Sequence, residues 1–181
     1  MIKLFDGVWT WGSFDPEKKY NFNGFLFASG GKTLVVDPPP KSDDDSAYFA
    51  ALELKPDLLV ITNRNHLRDR QSWLPAPTAM HDQERSQVDV AVARALKDGE
   101  TLEPGLEVVH LPGKSPGEIG LYWRARKILM LGDALIAPQG RLKLIAAAKL
   151  DDPALLRRSL AKLAALDFDV LLLADGDPIL G

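Results

Sequence analysis

The 181-residue sequence contains no cysteine. This absence excludes a disulfide framework, a cysteine-ligated zinc or iron–sulfur centre and a thiol nucleophile. The sequence also lacks an apolar run near the roughly 20 residues needed to cross a bilayer, and its N-terminus lacks the continuous apolar stretch of a signal peptide. We therefore expect a cytoplasmic protein that has no membrane partner.

Positive charge is not concentrated in any block of the chain. There are 22 basic and 25 acidic side chains, which give a net charge of −3 and a pI near 5.6. Because nucleic acids and anionic membranes are bound by basic patches, the absence of any lysine or arginine block argues against both partners. A small molecule or another protein is the expected partner.

Histidine is also scarce, since the chain has only three. A two-metal hydrolytic site built from imidazoles normally needs about four or five histidines, with pairs spaced to share one face. His81 falls at a predicted helix start and His110 inside a predicted strand, so structural roles are expected for both. His66 follows a buried strand and is the candidate for a functional site; the alternative is a structural loop histidine hydrogen-bonded to the backbone.

The residues that are present indicate one domain of mixed α and β structure over residues 1–181. Apolar residues make up 46% of the chain, enough to form a full core. We predict strands at 4–11, 23–28, 32–36, 57–62, 106–111, 119–124, 127–131 and 169–174. We predict helices at 43–54, 82–97 and 152–166, the second from the spacing of Val88, Val92, Ala95 and Leu96.

The segment Gly113-Lys114-Ser115-Pro116-Gly117 partly matches two catalytic motifs. A phosphate-binding P-loop needs a glycine where Val108 stands, and it needs a helix directly after Ser115. A nucleophile elbow also needs a following helix, and it needs a histidine further along the chain. None of these is predicted, so we interpret the segment as a turn.

Two loops follow buried strands in the same way. NRNH at 63–66 follows LLVIT, and DGDP at 175–178 follows LLLA. Sheets of this kind place their binding sites in loops at the carboxyl ends of buried strands. These two loops are therefore the first candidates for a site.

Five segments, taken in order, resemble the metallo-β-lactamase superfamily, whose members include glyoxalase II and many small hydrolases. They are NFNGFLFASGGKTLVVDPPP (21–40), DLLVITNRNHLRD (57–69), HLPGKSPGEIGLYW (110–123), LMLGDALI (129–136) and LLLADGDPIL (171–180). The resemblance implies a four-layer αββα sandwich with its site at the sheet edges. It also implies one more helix after the last strand, so we expect an exposed apolar patch and a homodimer formed through it.

The resemblance implies that most metal ligands of the family are missing. The family's ligand positions correspond here to Asn63, Asn65, Leu67, Arg68, Lys114, Asp133 and Asp175. Only Asp133 keeps the family's residue. A shift of one residue within the first loop would instead place His66 and Asp69 on ligand positions. We predict no di-zinc centre and no cofactor.

The preferred interpretation is a non-hydrolytic, ligand-binding protein with a polar cleft, since arginine and lysine suit carboxylates and phosphates. We expect Lys114 to replace the metal, with its ammonium within about 4 Å of Asp133 or Asp175. Asp133, Lys114 and His66 are the predicted reactive groups. The predicted ligand-binding residues are Asn63, Arg64, Asn65, Arg68, Asp69, Asp175 and Asp177.

The alternative interpretation is a hydrolase with a rebuilt single-metal site, acting on a small anionic or ester substrate. Its ligands would be His66, Asp69, Asp133 and Asp175, with Asp177 nearby. Such oxygen-rich ligands favour one manganese, iron or magnesium ion over zinc. A third interpretation, acid–base catalysis by a lysine–aspartate pair without metal, stays open.

Overall fold

The computed structural model describes residues 1–180, which form two β-sheets packed face to face. The first sheet contains, in spatial order, β1 (Ile2–Phe5), β2 (Val8–Asp15), β3 (Tyr20–Ser29), β4 (Lys32–Val36), β5 (Leu58–Val60), β6 (Thr78–His81) and β7 (Arg94–Leu96). The second contains β8 (Thr101–Leu102), β9 (Leu106–His110), β10 (Ile119–Trp123), β11 (Ile128–Leu131), β12 (Val170–Leu173) and β13 (Ile179–Leu180). The α-helices are α1 (Asp43–Ala51), α2 (Asp82–Arg85) and α3 (Pro153–Leu163).

Parallel pairing brings several strand ends to one edge of the molecule. β4 pairs in parallel with β5 in the first sheet, and β11 pairs in parallel with β12 in the second. Asp37 follows β4, Asn63 lies just beyond β5, Asp133 lies just beyond β11 and Asp175 just beyond β12. Asn63, Asp133 and Asp175, which were candidate site residues, thus come from loops at the same ends of the sheets, together with Asp37.

The apolar residues divide into three layers of core. Between the sheets, Phe25 and Phe27 of the first sheet pack in one cluster with Leu121 and Met130 of the second. The outer face of the first sheet is covered by α1 and the loop that carries Trp73. α3 covers the outer face of the second sheet with Leu156 and Leu163, among others. These layers form the αββα arrangement that the resemblance implies.

Both longer helices begin with side chains that cap them. Ser42 forms a capping box with Asp45 at the start of α1, and Asp152 accepts a hydrogen bond from the backbone of Leu155 at the start of α3. Such caps satisfy backbone N–H groups that the first helical turn leaves unpaired. α3 begins with Pro153 as predicted, whereas α1 ends at Ala51, before the predicted end at residue 54.

The predicted helix over 82–97 is wrong. Only α2, one turn at Asp82–Arg85, is helical, and Arg94–Leu96 instead forms β7, which pairs in parallel with β6. Val88 and Val92 pack as partly buried residues against the outer core of the first sheet. The spacing of these apolar residues matches a helix. The backbone of residues 94–96 instead forms its hydrogen bonds with β6 at the edge of the sheet, so tertiary context overrides the local pattern.

The N-terminal strand also differs from the prediction. Residues 4–11 are divided between β1 and β2 by a turn at Asp6-Gly7, and the described residues hold thirteen strands where eight or nine were expected. Short edge strands that were not predicted, such as β8 and β13, account for part of the difference. Such short strands carry too few residues to show a clear alternation in sequence.

None of the helices within residues 1–180 has both the length and the apolar composition that a bilayer crossing requires. Leucines on the outer face of the second sheet line an open apolar groove near α3, and Leu142 and Leu180 are about half exposed, at 48% and 51%. The exposed apolar patch expected from a missing helix, and the homodimer formed through it, stay predictions.

Candidate functional site

A polar cavity of about 510 Å³ opens at the edge where the strand ends meet. It is lined by Lys18, Tyr20, Phe22, Arg64, Asn65, His66, Arg68, Lys114, Asp133, Ile145, Lys149 and Asp175. Its size is typical of sites that hold small organic ligands. The cavity therefore brings the two candidate loops together, as the sequence analysis expected.

His66 lies on the floor of the cavity with a carboxylate at each ring nitrogen. Nδ1 is 2.8 Å from Asp37 Oδ2, and Nε2 is 3.2 Å from Asp133 Oδ1. The hydroxyl of Thr62 lies 2.5 Å from Asp37 Oδ2 and 2.9 Å from His66 Nδ1. A single turn of 3₁₀ helix, Arg64–His66, holds the ring here, and the Asn63 side chain caps that turn.

The surroundings of His66 favour its charged form. Burial and the nearby Arg68 lower the pKa of His66, but the carboxylates of Asp37 and Asp133 outweigh both and raise it to about 10. A neutral imidazole has one N–H and could donate to only one of the two acids, whereas an imidazolium donates to both. His66 is therefore a buried cation at neutral pH.

Asp133 is held between two cations. Besides its contact with His66, its Oδ2 lies 3.4 Å from Lys114 Nζ, and both side chains are about 95% buried. Burial raises the pKa of Asp133, but His66 and Lys114 more than reverse this and hold it well below the ordinary value. The ion pair that the sequence analysis expected for Lys114 is thus present in the structure.

Two glycines allow these side chains to reach the floor. Gly113 has a φ of +136°, and a Cβ atom there would lie 2.3 Å from the backbone nitrogen of Leu156 in α3. A Cβ on Gly132 would lie 2.4 Å from Thr62 Oγ1 and 2.5 Å from Glu118 Oε1. Only glycine fits at either position. The loops that carry Lys114 and Asp133 therefore pack directly against their neighbours.

Asp175 forms the second buried acid of the floor. Its Oδ1 accepts a hydrogen bond of 2.6 Å from Arg68 Nη2, and its Oδ2 lies 3.3 Å from the Tyr20 hydroxyl. Burial and the nearby Asp133 raise the pKa of Asp175 despite the opposing effects of His66 and Arg68. Burial and the contact with Asp175 likewise raise the pKa of Tyr20.

Two buried glutamates support the floor from below. Glu118 accepts hydrogen bonds from the Asn63 side chain at 2.7 Å and from the backbone N–H of Asp133 at 2.6 Å. Burial and the proximity of Asp133 raise the pKa of Glu118 well above its usual value. Glu84 accepts from the backbone N–H groups of Arg64 and Gly117. These acids fix the loops relative to one another.

Not every predicted site residue reaches the cavity. Asn63 is fully buried, and its side-chain amide donates a hydrogen bond to Glu118 below the floor. Asp69 is not among the lining residues, and its carboxylate accepts a hydrogen bond from the Ser72 hydroxyl. Asp177 is not among the lining residues, since the chain turns from Asp175 toward β13. The structure therefore places these three residues outside the lining of the cavity, and their role in ligand binding stays a prediction.

Several residues of the site were not predicted from the sequence. Tyr20 and Phe22 alternate along β3, so the two-residue period of a strand could have placed them on one face. Glu118, an acid at the start of a strongly apolar strand, could have been noticed as an unusual buried charge. Lys18 lies in a turn and Lys149 at the end of a turn of 3₁₀ helix, and only the fold determines where these two segments lie.

The model of the metallo-β-lactamase superfamily matches residues 4–180 of this chain. The chain belongs to the metallo-β-lactamase superfamily. No curated protein matches it. The family assignment agrees with the resemblance seen in the sequence.

Solved structures of this superfamily share the fold at low sequence identity. A metallo-β-lactamase family protein from Thermus thermophilus, TTHA1429, is 20% identical over 98% of this chain and 76% of its own, with a TM-score of 0.74. TTHA1623, described in a di-iron-bound form, is 21% identical over 93% of both chains, also with a TM-score of 0.74. A metallo-β-lactamase from Erythrobacter litoralis is 18% identical over 98% of this chain and 84% of its own, with a TM-score of 0.72.

Within residues 1–180 this superfamily member has one group of side chains that could hold a metal ion, formed by His66, Asp133 and Asp175. Their ligand atoms lie within 4.8 Å of one another. Asp69, which the single-metal alternative included, is not part of the group. The group is a partial site, because three ligands do not make the donor set of two zinc ions.

The surroundings of this group are also a poor fit for a metal of the kind the superfamily name implies. Lys114 Nζ is 3.4 Å from Asp133, and Arg68 Nη2 is 2.6 Å from Asp175. Each acid of the group thus already contacts a basic side chain of the protein. A dication placed between these acids would lie close to both side-chain cations and be repelled by them.

Proposed function

We propose that this chain binds a small organic anion without hydrolysing it, and that Lys114 and Arg68 supply the positive charge that a metal would otherwise bring to Asp133 and Asp175. The contacts of those two side chains with the two acids carry this proposal. The site would then keep the family's fold and cavity while the metal-dependent reaction is lost.

The charges on the cavity floor support this proposal because they balance without an added ion. Three carboxylates, those of Asp37, Asp133 and Asp175, face three cations. The cations are His66, Arg68 and Lys114. A buried acid that lacked such a partner would lose free energy through desolvation and would favour uptake of a metal ion. Here that need is already met.

The charge of the whole cavity supports an anionic ligand. Five of its lining residues are lysine or arginine and two are aspartate, although the protein as a whole has a net charge of −3. A concave surface that concentrates one sign of charge raises the local concentration of ligands of the opposite sign. Carboxylates and phosphates are the groups that such side chains bind in proteins.

Titration calorimetry and turnover assays on the same preparation test the proposal. Phenyl phosphate and benzoate serve as probes for binding, and ³¹P spectra recorded before and after incubation show whether phenyl phosphate is recovered intact. We expect at least one probe to bind and neither added Mn²⁺ nor added Zn²⁺ to produce turnover. Metal-dependent release of phenol that Asp133→Asn abolishes would contradict the proposal.

One observation favours a second candidate, the single-metal hydrolase. The ligand atoms of His66, Asp133 and Asp175 are close enough to share one ion. That function would require Lys114 and Arg68 to move away from the two acids, and His66 to release its proton. Hydrolysis of 4-nitrophenyl acetate that rises with added Mn²⁺ and is lost in His66→Gln would support this candidate over the first.

A further inference from the structure

We infer that the anionic group of the ligand binds at the mouth of the cavity, between Lys18 and Lys149, and that the floor receives an uncharged polar part of the same ligand. This inference rests on the proposed function and adds the class of ligand, an organic phosphate monoester. It differs from the arrangement in which the anion contacts Lys114 and Arg68 directly.

The mouth carries the unbalanced charge of the cavity. Lys18 lies in the turn between β2 and β3, and Lys149 ends a turn of 3₁₀ helix, so two separate segments contribute one lysine each. Both are exposed and line the cavity. Arg64, Arg68 and Lys114, the other basic residues of the lining, each form an ion pair with an aspartate. Within residues 1–180, Lys18 and Lys149 form none.

The remaining basic residues are already neutralised. On the floor, three carboxylates match three cations, as described above. Arg64 donates two hydrogen bonds to Asp151, at 2.8 and 3.0 Å, and contacts Gln87 as well. The excess is therefore two positive charges, both at the mouth. Phosphate monoesters carry about −1.5 to −2 charges at pH 7, which matches this excess better than a single carboxylate does.

The walls between the mouth and the floor suit an organic body. The cavity volume of about 510 Å³ is large for an inorganic ion and falls in the range of sites that hold organic ligands. Tyr20, Phe22 and Ile145 provide apolar surface along it. Lys18 Nζ lies 4.3 Å from the centre of the Phe22 ring, a cation–π contact that holds this lysine at the wall.

The floor can recognise an uncharged polar group. The Lys114 ammonium has three N–H donors and one carboxylate neighbour, at 3.4 Å, so donor capacity remains on its cavity side. Asp133 and Asp175 offer carboxylate oxygens to a donor such as a hydroxyl. A second anionic group would meet these two acids directly, whereas a hydroxyl can both donate and accept.

Titration calorimetry with phenyl phosphate, inorganic phosphate, benzoate and phenol tests the inference on the full chain. We expect phenyl phosphate to bind most tightly, inorganic phosphate more weakly, and phenol least of all. The double variant Lys18→Gln/Lys149→Gln should weaken phenyl phosphate binding at least tenfold and reduce its dependence on salt. Circular dichroism would check that each variant is folded.

The matched control is the double variant Lys19→Gln/Lys143→Gln. It makes the same change in net charge, Lys19 lies beside Lys18 in the same turn, and neither Lys19 nor Lys143 lines the cavity. We expect it to bind phenyl phosphate within about twofold of the unmodified protein, because neither lysine lines the cavity and an exposed charge that does not contact the ligand is weakened by solvent and salt. An equal loss of binding in both double variants would contradict the inference, since net charge alone would then explain the effect.

The failure of this inference can be distinguished from the failure of the proposed function. Binding of phenyl phosphate that Lys18→Gln/Lys149→Gln leaves unchanged would overturn the placement at the mouth and leave anion binding intact. Tighter binding of benzoate than of phenyl phosphate would overturn the phosphate class only. If none of the three anions binds the unmodified protein, both the inference and the proposed function are wrong.

Discussion

Two clusters of this protein place histidine in opposite electrostatic settings. His66 lies between the carboxylates of Asp37 and Asp133 on the floor of a cavity. His81 instead stacks on His110, with ring centres 3.9 Å apart and ring planes inclined by 13°. His110 Nε2 lies 2.8 Å from the carbonyl oxygen of Pro116, and His81 Nδ1 accepts a hydrogen bond from the backbone of Gln83.

The difference shows that the neighbours decide the charge of a buried histidine. Acids at both ring nitrogens raise the pKa of His66 to about 10, whereas burial and the adjacent His110 lower the pKa of His81. His66 is therefore a cation that balances acids in the site, and His81 is a neutral packing residue. The positions of the histidines in predicted elements indicated these separate roles, but no local pattern in the sequence indicates the charge of His66.

The largest effect is expected from breaking the charge balance around His66. Lys114→Met leaves Asp133 buried without its lysine, and we expect the free energy of unfolding to fall by about 3–5 kcal/mol. Denaturant unfolding at pH 7 measures this change. A change within about 0.5 kcal/mol, as for an ordinary surface substitution, would show that Lys114 does not balance the buried acids.

A double variant provides the control for that substitution. Lys114→Met combined with Asp133→Leu removes both charges of the pair, so no unpaired acid is left. We expect the double variant to be more stable than Lys114→Met alone, which makes the two changes strongly non-additive. Simple additivity would mean that the two side chains do not interact in the folded protein.

The pH dependence of stability should distinguish His66 from an ordinary histidine. Its pKa is about 10 in the folded protein and about 6.5 in the unfolded chain, so its contribution is complete below about pH 6.5 and is lost as the pH rises through 10. Between these values we expect the free energy of unfolding to decrease by about 1.4 kcal/mol per pH unit from this group. Comparison with His66→Gln isolates the contribution, and parallel pH profiles of the two proteins would argue against a charged His66.

The smallest effect is expected at the His81–His110 pair, and it has the opposite sign. Because the folded protein lowers the pKa of His81, its contribution to stability is present above about pH 6.5 and is lost as the pH falls. His110→Gln removes the like charge beside it, so the pKa of His81 should rise in NMR titrations. An unchanged titration of His81 would indicate that the stacked ring does not influence it.

Much of the fold could be predicted because local patterns and tertiary structure agree there. Residues 57–62 form a continuous apolar run, and β5 lies within it, fully buried. The predicted start of α3 at Asp152-Pro153 is confirmed, because an N-cap followed by proline is a local signal that involves neighbouring residues only. Residues 82–97 failed because β7 exists only through its pairing with β6, a contact that local spacing does not encode.

Individual site residues could be predicted where a local strand and turn position them. Contacts between residues from distant loops could not. Lys114 and Asp133 were placed correctly, since each follows a recognisable strand and turn. The partner of His66 Nδ1, Asp37, is 29 residues away, and the partner of Arg68, Asp175, is 107 residues away. Such pairings follow from the packing of two sheets, which no short stretch of sequence specifies.

The metal content of the protein tests the central claim most directly. Protein purified without chelator is incubated with Zn²⁺, Mn²⁺ or Fe²⁺, passed through gel filtration and measured by elemental analysis. If Lys114 and Arg68 replace the metal at Asp133 and Asp175, we expect no more than trace amounts of any of the three ions per chain. About one or two ions per chain, lost together with His66 or Asp133 in substituted variants, would contradict the account.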